Sequence, residues 1–247
     1  MIKVYIKITL TVLLLMTLSS DMALSTLGVA DNMNKVIIDV PYIDQTDITY
    51  GCEAVSSTML LNYYGYDIDK KDFTDNYLIK RDWIIDANNI ILGPDPHSAY
   101  VGDPYIQEKE NCGFGCYADV VAKSMDKLLV DEHKTKITTG IDLDQLIEEY
   151  IKNDIPVLVW ATINMQESSA GMSWIINYID ENSPYNIGDE FTWIAGEHCL
   201  VLVGYDKENY YFNDPYENKG VIGYEKELVR SRFDELGRQS LVIVSKN

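Results

Sequence analysis

Three residues far apart in this 247-residue chain, Cys52, His198 and Asp214, are of the types that together perform nucleophilic chemistry. A thiol attacks a carbonyl carbon as the thiolate, an imidazole can take its proton, and a carboxylate can hold the imidazole in the productive orientation. Cys52 begins an apolar run typical of a buried helix, and both a helix N-terminus and a nearby imidazolium lower the pKa of a thiol. We therefore predict that Cys52 is a nucleophile, His198 its general base and Asp214 the orienting carboxylate, with the pKa of Cys52 well below that of Cys199.

The segment 196–215 contains the elements that must bring His198 and Asp214 together. It consists of two runs of strand-forming residues separated by a turn at Asp206–Asn209. A hairpin returns the chain to the end where its first strand began, so both side chains would lie at one end of a sheet. Because a symmetric turn would set Asp214 opposite Val201, contact with His198 requires an offset turn or a bulge.

Gln45 lies seven residues before Cys52, in the loop that leads to the nucleophile. An amide N–H aimed at the attacked carbonyl oxygen, together with the backbone N–H of Cys52, would form an oxyanion hole. Each residue alone has an ordinary structural interpretation. Cys52 would be a buried thiol and His198 a satisfied core histidine, while Asp214 would form an Asx turn and Gln45 would be a solvent-facing loop residue. Their joint pattern favours catalysis, because core packing does not require Gly-Glu-His at the start of one strand and Asn-Asp-Pro at the end of the next.

The composition limits the classes of partner. Hydrophobic residues make up 47% of the chain, which is enough for a full core. The formal net charge of −19 argues against a basic groove for nucleic acid and against attraction to anionic lipid. The acidity could favour cationic substrates, although its ordinary effect is solubility. We expect a peptide or protein substrate, no nucleic acid, no membrane association after processing, and a monomer.

The N-terminal 30 residues have the form of a secretory signal. Lys3 and Lys7 precede the apolar run Ile8–Leu18, and small residues at 28–30 offer a cleavage point before Asp31. The apolar run is short for a membrane-spanning helix, although a retained N-terminal anchor is the alternative. We predict a signal peptide at 1–30, a mature chain at 31–247, and secretion or attachment to the cell wall.

Four cysteines and three histidines offer little support for a disulfide scaffold or a metal centre. Cys112 and Cys116 are four apart, and the sequence leaves open whether they form a disulfide. His97 and His133 have no partner at the spacing of metal ligands. Cys199 follows His198 along a predicted strand, where successive side chains point to opposite faces. The side chain of Cys199 should therefore point into the core. We expect no metal and no organic cofactor.

Hydrophobic periodicity predicts an α+β fold in one domain, with the helix of Cys52 packed on a mostly antiparallel sheet. Two segments without clear periodicity, 80–116 and 165–191, are predicted to be long loop excursions. The predicted helices are Cys52–Tyr64, Ile68–Leu78, Tyr117–Leu129, Leu143–Lys152 with Asp142 as cap, and Glu225–Leu236. The predicted strands are Lys35–Val40, Pro156–Ile163 as a central strand, Glu197–Tyr205, Tyr210–Asp214 and Ser240–Val244.

Several of these segments match a known family. Pro41-Tyr42 and Gln45, then Tyr50-Gly51-Cys52-Glu53-Ala54 and Asn62-Tyr63-Tyr64-Gly65, resemble the papain-like cysteine peptidases related to bacteriocin-leader processing enzymes, peptidase family C thirty-nine, in a stand-alone secreted form. The run from His198 to Asp206 and the Asn213-Asp214-Pro215 end are similar to the second half of that pattern. The resemblance covers roughly 36–245. It implies a papain-like fold, with Cys52 as nucleophile, His198 as general base and then acid, Asp214 as orienting residue and Gln45 as oxyanion donor.

The sequence therefore predicts an exported thiol-dependent hydrolase of peptide bonds that acts through a thioester acyl-enzyme. A papain-like amidase or acyltransferase acting on cell-wall peptides would use the same cysteine, histidine and carboxylate. A catalytically silent surface-binding module is the alternative from another class, and it would require the loss of a triad residue, none of which is missing.

Overall fold

The computed structural model describes residues 35–107, 111–129 and 132–246. The predicted signal segment 1–30 lies outside these ranges, so the structure does not test it. Within them, no helix combines the length and the apolar character needed to cross a membrane.

Five α-helices and thirteen strands are present in the described ranges. The helices are α1 (Cys52–Tyr63), α2 (Lys70–Asp72), α3 (Ala118–Asp126), α4 (Leu143–Glu149) and α5 (Lys226–Glu235). The strands are β1 (Val36–Ile37), β2 (Lys80–Arg81), β3 (Ile84–Ile85), β4 (Ile91–Pro94), β5 (Tyr100–Val101), β6 (His133–Ile137), β7 (Val157–Thr162), β8 (Ser169–Tyr178), β9 (Glu190–Ala195), β10 (Glu197–Tyr205), β11 (Asn209–Asp214), β12 (Gly220–Glu225) and β13 (Ser240–Ser245).

The main sheet is antiparallel and, among the described residues, contains seven strands. Six of them follow the order β12-β11-β10-β7-β13-β6, and β1 pairs with β10. Every residue of β7 is buried, as the continuous apolar run PVLVWATI predicts for a central strand. The α+β class and the mostly antiparallel sheet are confirmed.

Helix α1 carries Cys52 at its first position and packs on the main sheet. Its residues from Cys52 to Leu61 are all buried, because the helix lies between β10 on one side and α3 on another. The Ser56 hydroxyl fixes the position of the helix on the sheet by donating to the Cys199 carbonyl at 2.9 Å.

Helix α1 ends at Tyr63, and Gly65 follows with φ +83°, a left-handed conformation that glycine adopts without strain. The prediction of a buried helix over Cys52–Tyr64 is confirmed, with its end one residue earlier.

The predicted helix Ile68–Leu78 is helical over 70–77, but only its first turn is α-helical. Asp69 caps the single turn of α2 by accepting from the N–H groups of Lys71 and Asp72, and the chain then widens into a π-turn at Phe73–Tyr77. By contrast, Asp142 caps α4 as predicted, accepting from the Gln145 N–H at 2.9 Å. An aspartate caps the start of the helix in both places, but the cap does not fix the kind of turn that follows.

The two segments predicted as long loops, 80–116 and 165–191, both contain strands. In the described ranges β3, β4, β8 and β9 form a second sheet of four strands, and β2 pairs with β5. The second sheet is held by a buried aromatic cluster that includes Trp174, Phe191 and Trp193. The strands of 80–101 are two to four residues long, too short to show a hydrophobic period, so the sequence did not distinguish them from loop.

The hairpin of β10 and β11 contains the irregularity that the sequence required. Its register pairs Tyr205 with Tyr210 near the turn but Val201 with Asn213 further along, with a bulge between Leu202 and Gly204. Continued by one residue, that register sets Asp214 opposite Leu200. Leu200 lies two positions from His198, so the side chains of His198 and Asp214 lie on the same face of the sheet. The bulge is what brings the predicted base and carboxylate together.

Candidate active site

Cys52 lies at the N-terminus of α1, after Gly51 in the N-cap position. The first backbone N–H groups of a helix have no acceptor within the helix, so they are available to a substrate oxygen that approaches Cys52. In the structure the Cys52 thiol donates to Glu53 Oε2 at 3.2 Å. The sulfur is therefore engaged by its own sequence neighbour.

His198 and Asp214 form a buried pair. The His198 Nε2 lies 2.7 Å from Asp214 Oδ1, and the two side chains are 1% and 0% exposed. Because an ionised carboxylate can only accept, Nε2 carries the hydrogen of this bond. The Nδ1 atom is then the ring nitrogen left to exchange a proton with another group.

The Asp214 carboxylate is surrounded by donors. Besides His198, its oxygens accept from the Tyr216 N–H at 2.9 Å and from the Tyr224 hydroxyl at 3.1 Å, and Lys219 Nζ lies 3.6 Å from Oδ2. Burial raises the pKa of Asp214, but the bond and charge of His198, the Tyr216 N–H and Lys219 together lower it below its ordinary value. Asp214 is therefore ionised at neutral pH and fixes the tautomer of His198.

Gln45 lies near the same end of the sheet. Its backbone N–H donates to the Pro215 carbonyl at 3.0 Å, which ties the Gln45 loop to the chain after Asp214. Its amide Nε2 donates to the Thr49 carbonyl at 3.0 Å, while its Oε1 is buried without a hydrogen-bond partner. An amide nitrogen carries two hydrogens, so one remains for a substrate oxygen.

A cavity of about 190 Å³ joins these residues. Cys52, His198 and Gln45 all line it, so the predicted nucleophile, base and oxyanion donor face one space. The remaining lining residues are Thr49, Tyr50, Gln107, Phe114, Ile163, Glu197 and Tyr216. Asp214 lies behind His198 and does not line the cavity, as expected for an orienting group.

Two buried glutamates beside Cys52 and His198 were not assigned a role from the sequence. Glu53 follows Cys52 and is 0% exposed, and Glu197 precedes His198 and is 7% exposed. Burial raises the pKa of Glu53 to about 7, against the bonds from its own N–H, the Cys116 N–H and the Cys52 thiol. Burial and the charge of Glu53 raise the pKa of Glu197 well above its ordinary value. The signal that could have found them is an acidic residue adjoining each of the two predicted catalytic residues.

The glutamates oppose the predicted low pKa of Cys52. Burial and then the charges of Glu53 and Glu197 raise the pKa of the Cys52 thiol well above its ordinary value, and the pKa of Cys199 is also raised, chiefly by burial. The prediction rested on the helix N-terminus and a nearby imidazolium, and the sequence could not place Glu197 next to the thiol. The raised pKa favours the protonated thiol at Cys52 at neutral pH.

The other cysteines and His97 were also candidates for a chemical role. All four cysteines lie in the described ranges and are free thiols, including Cys112 and Cys116, and Cys199 is fully buried as predicted. His97 is half-buried, with Nδ1 2.7 Å from Asp119 Oδ2. Of the residues described, Cys52, Glu53 and Glu197 form the group that could hold a metal ion.

The comparisons with known proteins identify the family of the chain. The profile of the Peptidase_C39 like family matches residues 37–241, most of the chain. The chain belongs to that family.

Two relatives support the assignment at different levels. The protein YvpB of Bacillus subtilis (strain 168), described as uncharacterized, is 27% identical over 222 residues, covering 83% of this chain and 75% of its own length. A crystal structure of a candidate C39-like peptidase from Bacillus anthracis has a TM-score of 0.70 and 24% identity, and covers 87% of this chain and 99% of that one. At that identity the structural likeness shows the fold, which is that of a C39-like peptidase.

Proposed function

We propose that this protein is a cysteine peptidase that hydrolyses peptide bonds through Cys52, His198 and Asp214. The observation that carries the proposal is the buried His198–Asp214 pair, with 2.7 Å between Nε2 and Oδ1, whose imidazole lines the same cavity as the Cys52 side chain. Membership of a peptidase-like family supports the same class of reaction.

The reaction begins with a neutral thiol rather than a preformed thiolate. His198 Nδ1 takes the thiol proton as the Cys52 sulfur attacks the carbonyl carbon, and Asp214 stabilises the imidazolium that forms. The second amide N–H of Gln45 and the backbone N–H of Cys52 stabilise the oxyanion. The imidazolium then protonates the leaving amine, which leaves a thioester on Cys52.

Hydrolysis of the thioester completes the cycle. His198, now neutral, takes a proton from a water molecule that attacks the thioester carbon, and the Cys52 thiolate leaves and is reprotonated by His198. The step consumes one water and releases the carboxyl product. Neither a metal nor an organic cofactor takes part in these steps.

The setting of the reaction is also part of the proposal. A signal-like segment at 1–30 supports export, with the mature protein secreted or held at the cell wall. The net charge of −19 supports a peptide or protein substrate over a nucleic acid or a lipid surface. We expect the mature chain, 31–247, to act as a single peptidase domain and a monomer.

The test is cleavage of a mixed peptide library, followed by mass spectrometry of the products. The wild-type protein should cut internal peptide bonds, and Cys52→Ala should cut none. Cys112→Ala is the matched control, because Cys112 does not line the cavity, and it should cleave as the wild type does. Cleavage by Cys52→Ala at the wild-type rate would show that Cys52 is not the nucleophile.

A further inference from the structure

A thiol and two carboxyls converge at the cavity, which Cys52 and Glu197 line. One ligand atom from each of Cys52, Glu53 and Glu197 lies within 4.8 Å of the other two. All three residues are buried, which separates them from the exposed acidic clusters that are common on protein surfaces. Tetrahedral zinc with one sulfur and two oxygen ligands requires ligand separations of about 3.4–3.6 Å, given Zn–S near 2.3 Å and Zn–O near 2.1 Å. A small contraction of the three side chains would suffice.

The bonding of Glu197 points independently to a missing partner. Its Oε1 is buried and forms no hydrogen bond, and the residue is only 7% exposed. An unpaired buried oxygen costs free energy, and a carboxylate costs more than a neutral group. Both carboxyl oxygens of Glu53 have a hydrogen-bond donor. Oε1 accepts from the Cys116 N–H at 2.7 Å, and Oε2 accepts from the Cys52 thiol.

Room for the two carboxyls comes from Gly115. A Cβ built on Gly115 would lie 2.5 Å from Glu53 Oε1 and 2.9 Å from Glu197 Oε2, so any larger residue would displace them. Both carboxyls thus face one spot that lacks a side chain. Across 35–107, 111–129 and 132–246, no lysine or arginine forms an ion pair with either carboxyl.

We propose that Cys52, Glu53 and Glu197 bind one thiophilic divalent cation of the zinc type. The cation replaces the thiol proton, which leaves to solvent, and compensates the charge of a thiolate and two carboxylates. The thiolate selects zinc over the hard cations magnesium and calcium, which prefer all-oxygen ligands. A metal-held sulfur cannot attack a carbonyl, so the occupied site is a reversible block of the nucleophile; this consequence rests on the proposed peptidase function, whereas the metal site does not.

Zinc binding is measured with the whole protein by competition against a chromophoric chelator. In parallel, iodoacetamide labelling with and without Zn²⁺ is mapped to each cysteine by mass spectrometry. The wild type should bind one equivalent and protect Cys52 from alkylation. Glu53→Gln and Glu197→Gln should each weaken zinc binding at least about tenfold and reduce the protection of Cys52, because a neutral amide is a poor zinc ligand.

Glu208→Gln is the matched control, since Glu208 is an exposed glutamate in the β10–β11 turn. It should bind zinc as the wild type does. Thermal unfolding checks that each variant is folded, and Glu197→Asp gives a second test at Glu197 with the charge kept but the reach shortened. Binding that is unchanged in both glutamine variants would overturn the proposal, because it would show that neither carboxyl is a ligand. Absence of stoichiometric binding would overturn it as well.

Neither readout requires peptide hydrolysis. If the peptide library is not cleaved but zinc binds and protects Cys52, the peptidase proposal fails and the metal site stands. If peptides are cleaved and zinc does not bind, the reverse holds.

Discussion

Two buried carboxyl sites lie beside Cys52 and His198, and their pKa values shift in opposite directions. Asp214 is completely buried yet has a lowered pKa, because an imidazole, a backbone N–H, a tyrosine hydroxyl and an ammonium group surround it. Glu53 and Glu197 are also buried, lie close to each other and have raised pKa values. Burial alone therefore does not decide the charge of a carboxyl. The number and kind of donors at each oxygen decide it.

The two carboxyl sites have different proposed effects on the reaction at the Cys52 thiol. In the proposed mechanism the ionised Asp214 orients His198 to accept a proton, while the glutamates raise the pKa of the Cys52 thiol. Substitutions at four positions either break this contrast or measure its size.

Removal of the Asp214 side chain should have the largest effect. Asp214→Ala frees the His198 ring and leaves Nε2–H without its acceptor, so we expect kcat/KM to fall by about 10²–10⁴-fold. Asp214→Asn should retain more activity, since an amide oxygen can still accept from Nε2–H. Steady-state kinetics on a cleaved library peptide compares the two. Equal losses in both variants would mean that the negative charge, rather than the orientation of the ring, is what His198 requires.

Gln45→Ala tests the predicted oxyanion donor, a neutral amide that lines the cavity. If the second amide N–H stabilises the oxyanion, kcat should fall by about 10²–10³-fold, or some 3–4 kcal/mol. Alkylation of Cys52 by iodoacetamide should be nearly unchanged, because displacement at its methylene carbon develops no oxyanion. Both rates are measured on the same variant. A parallel fall in both would show instead that the bond from Nε2 to Thr49 holds the loop in place.

Glu53→Gln should stabilise the protein at alkaline pH. A glutamate whose folded pKa is raised to about 7 favours the folded state fully below its unfolded pKa, and that contribution is lost as pH rises through 7. Above pH 8 the substitution should therefore raise the free energy of unfolding, by up to about 3 kcal/mol for a shift of this size. Near pH 4 wild type and variant should differ little.

Urea unfolding at both pH values, with a chelator present to exclude metal effects, measures this difference. Glu208→Gln, at an exposed position, serves again as control. A glutamine variant that is less stable than the wild type at pH 8 would contradict the costly burial of charge at Glu53.

Tyr224→Phe should have the smallest effect, and it measures a single donor to Asp214. Loss of the 3.1 Å bond from the Tyr224 hydroxyl should cost about 0.5–1.5 kcal/mol of stability. It should also raise the pKa of Asp214, so the stabilisation that depends on ionised Asp214, present above its unfolded pKa, should be lost at a higher pH as the solution is acidified. Tyr105→Phe, which removes an exposed bond to Asp75, is the matched control. Identical acid unfolding of wild type and Tyr224→Phe would show that this donor does not affect the charge of Asp214.

The sequence predicted the larger elements well, for a physical reason. The buried helix from Cys52, the central strand β7, the hairpin and the Asp142 cap all depend on local signals: apolar runs, turn residues and side chains that reach their own backbone. The failures are short strands in 80–116, the strands of 165–191 and the π-turn at Phe73–Tyr77. The strands β2 to β5 are two to four residues long, too short to show a hydrophobic period, and β4 pairs with β8 from a distant part of the chain.

For the candidate site, the sequence by itself determined the residue types, the need for an offset or bulge in the hairpin, and the position of Cys52 at a helix start. Only the tertiary structure decided the direction in which the pKa of that cysteine shifts. Glu197 is 145 positions from Cys52 in the chain, and its electrostatic effect on the thiol exists only once α1 has packed on β10. Electrostatic effects depend on distance and burial in three dimensions, and neither is written in the order of the residues.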